Sequence, residues 1–560
     1  MKTQEERSAT TMSFNKDLGN EGVTRRSFMG GMGALMATAA AFATGVSTAH
    51  ADEAAEAEEA EAEEAAAETE EAATEEVATE ETTTTKTVIE STTGWTGTPE
   101  DLFNRGMCTM PLEDLNAYRR AYIDAQTDYT KEDGTVVPAV YVKARALIHT
   151  YGFGCGDVVD VDTCFDDIMR AMSEDDAQAF IDMPLGVEFS AYQMSIETGR
   201  DVDECTEICE RLAEDGYLTA YDNNSGRYYH HAPAAIGVLE YHVDDAVESD
   251  NTATTLASNT VQYDISECGV PTMHFVPIDQ NVISTGTFYD YDDIKEMARN
   301  TNYVAISPCY CRYSALAAAM GHENIPTFED FATGEYEDYF TEVSNERVET
   351  CMYFGDEGRY WVDRGMAREI TGEQAAEYIQ RSWEDGFMLQ TSFEKDLMVV
   401  CSCSADSCGL VAMFNALGDP DTIATYPAFQ HWSRYTLQVD ADACIACGTC
   451  VDRCPMHCIS INDDGWAEPA GNCFRCGQCA YVCPQEARKL VPLDESEVPE
   501  LANNHMDLIN EQAAWRFEAG LITFPETTEE TAAEETEAEA EEAATEEATT
   551  EETAEEVAAE

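Results

Sequence analysis

Residues 444–455 read Cys-Ile-Ala-Cys-Gly-Thr-Cys-Val-Asp-Arg-Cys-Pro, and residues 473–484 read Cys-Phe-Arg-Cys-Gly-Gln-Cys-Ala-Tyr-Val-Cys-Pro. Both stretches have the spacing C-x2-C-x2-C-x3-C-P, and each cysteine of the second lies 29 residues after its counterpart in the first. The segment is therefore an internal repeat. Pro455 and Pro484 turn the chain away after the last cysteine of each run, because proline cannot continue a helix.

This spacing indicates iron–sulfur cluster ligation. A [4Fe–4S] cubane needs four thiolates, of which a tight loop supplies three and a distant residue the fourth. Zinc sites more often use paired C-x2-C ligands, and disulfides do not require a triple-cysteine loop followed by Cys-Pro. The two runs therefore predict two [4Fe–4S] clusters as cofactors.

The segment from about residue 435 to residue 492 resembles the bacterial two-cluster ferredoxins. In that family the fourth cysteine of each run ligates the cluster of the other run. The resemblance implies one cluster held by Cys444, Cys447, Cys450 and Cys483, and another held by Cys473, Cys476, Cys479 and Cys454. Cys458 stands where the second repeat has Ala487, so we expect it to be a small buried residue rather than a ligand.

Six further cysteines lie in the middle of the chain, at Cys309, Cys311, Cys351, Cys401, Cys403 and Cys408. The first two form a Pro-Cys-Tyr-Cys-Arg segment after the apolar stretch 303–306, and the last three follow the apolar residues 398–400. Both groups end predicted strands, where a loop can wrap a metal. Thiolates gathered from three segments suit a third iron–sulfur cluster or a zinc ion. Disulfides or free thiols are the alternatives, since disulfides form outside the cytoplasm.

The middle cysteines and the C-terminal runs together resemble a family of 4Fe–4S proteins from anaerobic microbes. Its members combine an N-terminal winged-helix-like part, a Pro-Cys-x-Cys-Arg segment, a Thr-Cys-Met/Leu-x-Phe-Gly segment, a Cys-x-Cys loop and a two-cluster ferredoxin. The resemblance covers roughly residues 180–495. It implies this architecture rather than a particular activity.

The chain of 560 residues carries a net charge of −80, which is unevenly distributed. Residues 52–81 hold 15 acidic and no basic residues, and residues 526–560 hold 16 acidic and no basic residues. Such segments repel themselves and bury little apolar surface, so we predict disordered acidic termini. Residues 82–525 still carry a net charge of −50. This field excludes nucleic acid as a partner and suits a redox partner protein, a reductase or membrane oxidoreductase, with a basic face.

The first 51 residues contain the parts of a twin-arginine (Tat) export signal. Arg25 and Arg26 precede the small apolar stretch 30–46, and Ala49-His50-Ala51 offers a cleavage site. The apolar stretch is too short and too rich in Gly and Ala for a comfortable membrane span. We therefore expect an exported protein, periplasmic or otherwise extracytoplasmic, with no transmembrane helix in the mature chain.

Residues 181–250 predict a winged-helix-like unit. Apolar residues at helical spacing indicate a helix over 203–214, and residues 218–231 have the pattern of a hairpin with a Gly-containing turn. A preceding helix is predicted from Ile168 to Phe180. The stretch is acidic and has no basic stripe, so a structural or protein-docking role is expected rather than DNA binding.

These features predict a multidomain α+β protein. The expected segments are a Tat signal peptide at 1–51, an acidic low-complexity linker at 52–97, a helical N-terminal region at 98–180, a winged-helix-like α/β region at 181–250, a cysteine-rich α+β middle domain at 251–434, a two-cluster bacterial ferredoxin-like domain at 435–495, a helical segment at 496–525 and an acidic disordered tail at 526–560.

The favoured function is one-electron transfer by an exported iron–sulfur protein, as a carrier or as an oxidoreductase subunit. In a first alternative the middle cysteines hold a catalytic cluster or metal, which the ferredoxin-like domain supplies with electrons. The second alternative is a redox or metal sensor that docks through its winged-helix-like region. The sequence identifies no catalytic residue. Surrounding carboxylates stabilise the oxidised, less negative clusters, which predicts a low reduction potential.

Overall fold

A computed structural model describes residues 110–155, 161–223, 225–242, 268–278, 293–320, 324–340, 347–404, 408, 411, 433–494, 498 and 500–525. The predicted Tat signal and both acidic segments lie outside these residues. The described chain mixes helices with antiparallel sheets. Within these ranges no helix is both long enough and apolar enough to cross a membrane.

Residues 110–242 form a group of short helices followed by one hairpin. The helices are α1 (Leu112–Asp124), α2 (Ala139–His149), α3 (Val161–Ala171), α4 (Glu174–Asp182), α5 (Ala191–Thr198) and α6 (Val202–Glu214). Between α1 and α2 lies a small antiparallel pair, β1 (Tyr129–Thr130) and β2 (Val136–Val137). The hairpin joins β3 (Leu218–Asn223) to β4 (Gly226–His231), and a kinked turn at Ala234–Val238 leads into α7 (Leu239–Tyr241).

The prediction of one helix from Ile168 to Phe180 is wrong, because this stretch belongs to two helices, α3 and α4. Ser173 caps α4: its Oγ accepts a hydrogen bond from the Asp176 N–H, and the Asp176 carboxylate accepts one from the Ser173 N–H. This capping box makes Glu174 a helix start and separates α4 from α3. A helix and a hairpin do lie at the positions predicted for the winged-helix-like unit, whose overall type stays a prediction.

The middle of the chain builds a six-stranded antiparallel sheet in the order β5-β9-β10-β7-β6-β8. Its strands are β5 (Met273–Phe275), β6 (Val304–Pro308), β7 (Glu349–Phe354), β8 (Arg368–Ile370), β9 (Met388–Ser392) and β10 (Val399–Cys403). The accompanying helices are α8 (Ile294–Asn300), α9 (Tyr310–Met320), α10 (Phe328–Ala332), α11 (Gly355–Asp363) and α12 (Gly372–Asp385).

Side-chain alternation divides this sheet into two different faces. Met352 and Phe354 of β7 pack into an apolar core with Trp383 of α12. Cys351 and Tyr353, which alternate with them, point to the opposite face and join the main core of the protein. Because successive side chains of a strand point to opposite faces, the cysteines of β7 and β10 are directed to one side.

Residues 433–494 form two half-repeats. They contain β11 (Tyr435–Val439), α13 (Thr449–Arg453), β12 (Ile459–Ile461), β13 (Ala467–Pro469), α14 (Gln478–Tyr481) and β14 (Arg488–Pro492). β11 pairs with β14 across the halves, and β12 pairs with β13. The repeat extends to the backbone, since Ala446 and Arg475 have φ of 51° and 57° and their glycine neighbours two residues on also have positive φ.

The C-terminal helix α15 (His505–Ala519) ties the N-terminal helices to the middle domain. Arg516 is buried, and its Nη1 donates to the carbonyl oxygen of His149 at 2.9 Å. One turn earlier, Gln512 Nε2 donates to Thr272 Oγ1 at 2.9 Å, beside β5. The segment after the ferredoxin-like domain therefore closes the fold around the sheet.

Candidate iron–sulfur centres

The first predicted cluster site opens to the surface. Cys444 and Cys447 come from the loop between β11 and α13, Cys450 lies in the first turn of α13, and Cys483 follows α14 in the other half-repeat. All four cysteines line a single pocket. Cys447 is exposed and the neighbouring Ile445 side chain is 60% exposed. The fold thus brings a distant fourth thiol to a three-cysteine loop, with one edge of the site facing solvent.

The second predicted site lies deeper. Cys473, Cys476 and Cys479 are electrostatic neighbours of one another and of Cys454, which belongs to the first half-repeat. Cys454 and Cys479 are buried, and burial raises the pKa of Cys479 to about 12. The four residues of the second set are therefore also brought together, with Cys473 and Cys476 half-buried.

Cys458 is buried, as the sequence predicts, but it lies among the residues of the second set. Its Sγ is 3.6 Å from Cys454 Sγ, and its thiol also hydrogen-bonds with that of Cys473. The alanine at the equivalent position of the other repeat, Ala487, did not predict that Cys458 contacts the second set of cysteines. Only the folded chain places the extra thiol against two predicted ligand sulfurs.

Backbone amides also approach the predicted ligands. The Ala487 N–H donates to Cys483 Sγ at 3.3 Å, and the Ala467 N–H donates to Cys444 Sγ at 3.5 Å. Hydrogen bonds to ligand sulfur are one of the means by which proteins set cluster potentials. Both donors serve the first site, so its sulfurs are hydrogen-bonded although the site is open to solvent.

The six middle cysteines form one group, which we call the six-thiol site; four of them are buried, and Cys311 and Cys401 are half-buried. Each thiol interacts with two others, so that the neighbours form a closed circuit in the order Cys309, Cys311, Cys408, Cys403, Cys401, Cys351 and back to Cys309. In the described part of the chain, no two cysteines are joined by a disulfide.

Strand pairing explains why these thiols meet. Val400 of β10 pairs with Met352 of β7 in an antiparallel ladder, so Cys401 and Cys351 come next to each other. β6 pairs with the other side of β7 and brings in Cys309 just after its last residue. The three segments that the sequence treats as separate are thus adjacent strands of one sheet.

Two polar side chains support the six-thiol site. Arg312 is fully buried, and its Nη2 donates to the carbonyl oxygen of Ser402 at 3.2 Å. Hydrogen bonds from the neighbouring thiols, together with the charge of Arg312, hold the pKa of Cys309 well below its usual range. Gln390 Nε2 donates to Cys403 Sγ at 3.1 Å. A buried cation and an N–H donor are the groups that anionic sulfur requires.

Among the described side chains, no group of three or more His, Cys, Asp or Glu residues has the geometry of a single metal-ion site, either at the six-thiol site or among the ferredoxin cysteines. The third iron–sulfur cluster and the zinc ion both stay predictions for the six-thiol site.

The second cluster site and the six-thiol site are linked by a chain of residue contacts. Gln478, which precedes Cys479, is fully buried, and its Nε2 donates to the carbonyl oxygen of Phe387 at 2.7 Å. The guanidinium carbon of Arg312 lies 4.5 Å from the centre of the Phe387 ring. Since Arg312 follows Cys311 directly, three side chains link the two thiol groups. Sequence reasoning missed Gln478 and Phe387, which carry no motif.

Comparisons with known proteins agree with the C-terminal part of this description. Residues 443–487 match the family model described as a 4Fe-4S dicluster domain. A 30-residue stretch is 57% identical to a probable ferredoxin of Methanosarcina thermophila, covering 5% of this chain and 52% of that protein. The chain therefore matches about half the length of this curated relative. No solved structure matches. Residues 443–487 form a 4Fe-4S dicluster domain of the ferredoxin type.

Proposed function

We propose that this protein transfers electrons one at a time through two [4Fe–4S] clusters. One is ligated by Cys444, Cys447, Cys450 and Cys483, and the other by Cys473, Cys476, Cys479 and Cys454. Each cluster, when bound, accepts and returns a single electron. The chain's own residues hold the clusters, supply hydrogen bonds to sulfur and leave the first site open at Cys447, where a partner can approach.

The observation that carries this proposal is that each half-repeat supplies the fourth thiol of the other half-repeat's site. Cys483 lies with the first three thiols around one cavity, and Cys454 lies with the second three. In two-cluster ferredoxins this exchange of fourth ligands is the ligation pattern. The first site is exposed and the second faces the middle domain, so an electron can enter at one end and leave at the other.

Serine variants of two cysteines test the proposed ligand sets. We expect Cys483→Ser, purified without oxygen, to disturb the first cluster, seen as lower iron and sulfide content and a changed EPR signal. Cys458→Ser is the matched control, because it removes a thiol from the same domain without removing a proposed ligand. Equal iron content in the Cys483→Ser variant and the unaltered protein would contradict the assignment.

A second candidate function is that of an oxidoreductase with a third cluster at the six-thiol site. Two observations favour it: the closed circuit of thiols, and the path from Gln478 through Phe387 to Arg312. Thiolates, a buried cation and an amide donor to sulfur fit a cluster. The ferredoxin domain would then supply this third centre with electrons.

Cys309→Ser tests the third cluster. We expect this change to reduce the iron content and to remove one EPR-active centre, while the two ferredoxin signals remain. Cys209→Ser is the control, since Cys209 is buried in the N-terminal core, where its thiol donates to Met194 Sδ. Iron content and spectra that are unchanged in the Cys309→Ser variant would end the third-cluster proposal.

Export through the Tat pathway belongs to the same proposal. The signal at Arg25 and Arg26 supports it, as does the need to insert clusters before translocation. Replacement of both arginines by lysine should keep the protein in the cytoplasm, as measured by fractionation and immunoblotting. Export that is unaffected by this change would contradict the proposed route.

A further inference from the structure

A single buried arginine lies between the two predicted cluster sites. Arg488 begins β14 and is only 1% exposed. Its Nη1 approaches Cys479 Sγ at 3.7 Å, and its Nη2 donates to the carbonyl oxygen of Ala467. Arg488 also lines the pocket of the first site together with Cys450. Arg488 therefore touches one proposed ligand of each cluster.

The contacts of Arg488 are unusual for a buried cation. Arginine keeps its proton under all ordinary conditions, so burial leaves a full positive charge that requires a negative partner. Among the described residues no carboxylate pairs with Arg488. Burial lowers the pKa of Arg488, but Cys479 and Cys450 together raise it above its usual value. In the part of the chain that the structure describes, the negative groups that face this cation are the two ligand sulfurs.

The two half-repeats differ at the position of Arg488, so the arrangement is asymmetric. The residue that corresponds to Arg488 in the first half is Ile459, 29 positions earlier, which is buried and apolar. One guanidinium therefore serves both sites. Lys489, its neighbour, lies on the opposite face of β14, because side chains alternate along a strand.

We propose that Arg488 is the shared counter-ion of the two clusters and raises the reduction potential of both. This inference rests on the proposed ligand sets. Each cluster becomes more negative when it accepts an electron, so a fixed positive charge at its ligand sulfur stabilises the reduced state. Because the site is buried, solvent screens this effect less than it screens the surface carboxylates. Arg488 thus opposes the lowering of potential that the acidic surface causes.

The experiment compares Arg488→Met with Lys489→Met. Both changes remove one positive charge at adjacent positions, but only the first removes it from the ligand sulfurs. In EPR-monitored redox titrations of anaerobically purified protein, we expect Arg488→Met to lower both potentials. The expected shift is at least tenfold in each reduction equilibrium, or about 59 mV for one electron. We expect Lys489→Met to leave both near their original values.

Two further variants keep the inference testable if Arg488→Met does not fold. Arg488→Lys retains the charge and should hold both potentials close to those of the unaltered protein, whereas Arg488→Gln retains polarity without charge and should lower both. The inference is overturned if Arg488→Gln holds both clusters at unchanged potentials, or if only one potential moves. Absence of two clusters in the unaltered protein would instead contradict the proposed function, and iron and sulfide quantitation detects that separately.

Discussion

At the scale of single residues, Cys458 provides the sharpest test of how the protein adjusts its buried cluster. Its thiol contacts two proposed ligand sulfurs, Cys454 and Cys473. A thiol that donates to a ligand sulfur stabilises the reduced, more negative cluster. We expect Cys458→Ala to keep both clusters and to lower the potential of the second. The loss of one such bond is worth about 1 kcal/mol, or roughly 40 mV for one electron.

The first cluster serves as the internal control for this variant. Ala487 occupies the corresponding position beside the first cluster and offers no thiol. The reduction potential of the first cluster should therefore not change in Cys458→Ala. An EPR-monitored redox titration of both clusters in the same sample compares the two reduction potentials. A variant that loses a whole cluster would identify Cys458 as a ligand instead.

A second residue-scale prediction concerns the buried carboxyl group of Glu394. Its Oε1 accepts a hydrogen bond from Ser392 Oγ at 2.6 Å, and burial raises its pKa to about 8. The unfolded chain has the ordinary glutamate value of about 4.3. Between these values the folded protein binds a proton that the unfolded chain does not, so stability falls as pH rises through this window.

The unfolding free energy should therefore fall by about 2 kcal/mol on going from pH 6 to pH 8 because of this residue. Glu394→Gln should remove that part of the decrease, as measured by urea unfolding of anaerobic protein at both pH values. Glu384→Gln, at an exposed position on α12, is the control. An identical pH dependence in Glu394→Gln and the unaltered protein would show that Glu394 is ionised in the folded state.

At the scale of secondary-structure elements, the contact between α14 and α12 holds the ferredoxin domain against the sheet. Gln478 Nε2 donates to the carbonyl oxygens of Trp383 and Phe387 at 3.0 and 2.7 Å, and its Oε1 accepts from Arg453 Nε at 2.7 Å. Arg453 Nη2 also donates to the Trp383 carbonyl. The Trp383 carbonyl lies in the last turn of α12, where it also accepts a hydrogen bond from the Gly386 N–H, and Phe387 lies two residues beyond the helix.

We expect Gln478→Leu, which keeps the side-chain volume, to lower the free energy of unfolding by about 2 kcal/mol, because buried carbonyls lose their donors. Urea unfolding of anaerobically prepared protein measures this. Gln438→Leu is the matched control, since it makes the same change in the same domain at an exposed position of β11. A change no larger than that of the control would indicate that this interface contributes little.

At the scale of the whole molecule, charge and exposure together indicate where we propose that a redox partner binds. Ile445 and Cys447 at the rim of the first site are exposed, and the nearby carboxylates Asp440 and Asp442 are exposed as well. Residues 82–525 carry a net charge of −50. This combination suits a basic partner protein whose approach is electrostatically steered.

The association rate with such a partner should fall steeply as ionic strength rises, because salt screens charges beyond about 10 Å at 0.1 M. Stopped-flow reduction of the clusters by a basic one-electron carrier, measured from 0.05 to 0.5 M salt, tests this. Removal of the acidic tail at 526–560 separates the contribution of the tail from that of the folded body. A rate that does not depend on salt would contradict steering by charge.

The 4Fe-4S dicluster domain could be predicted because the chemistry of its proposed ligands is local in the chain. Cys444, Cys447 and Cys450 lie within seven residues and repeat 29 positions later, and a cubane requires that spacing. The split between α3 and α4 could not be predicted from apolar periodicity alone. There the capping box at Ser173 ends one helix and starts the next.

The sequence alone determined which cysteines of the ferredoxin domain we propose as cluster ligands and how the charge divides along the chain, because spacing and composition are properties of the linear order. The tertiary structure decided how the six middle thiols meet, since strand pairing brings together segments up to a hundred residues apart. It also decided that Arg488 lies between the two cluster sites and that Gln478 reaches Phe387. The roles of Arg488 and Gln478 depend on burial and on partners that are distant in sequence. A local sequence pattern does not predict either of these.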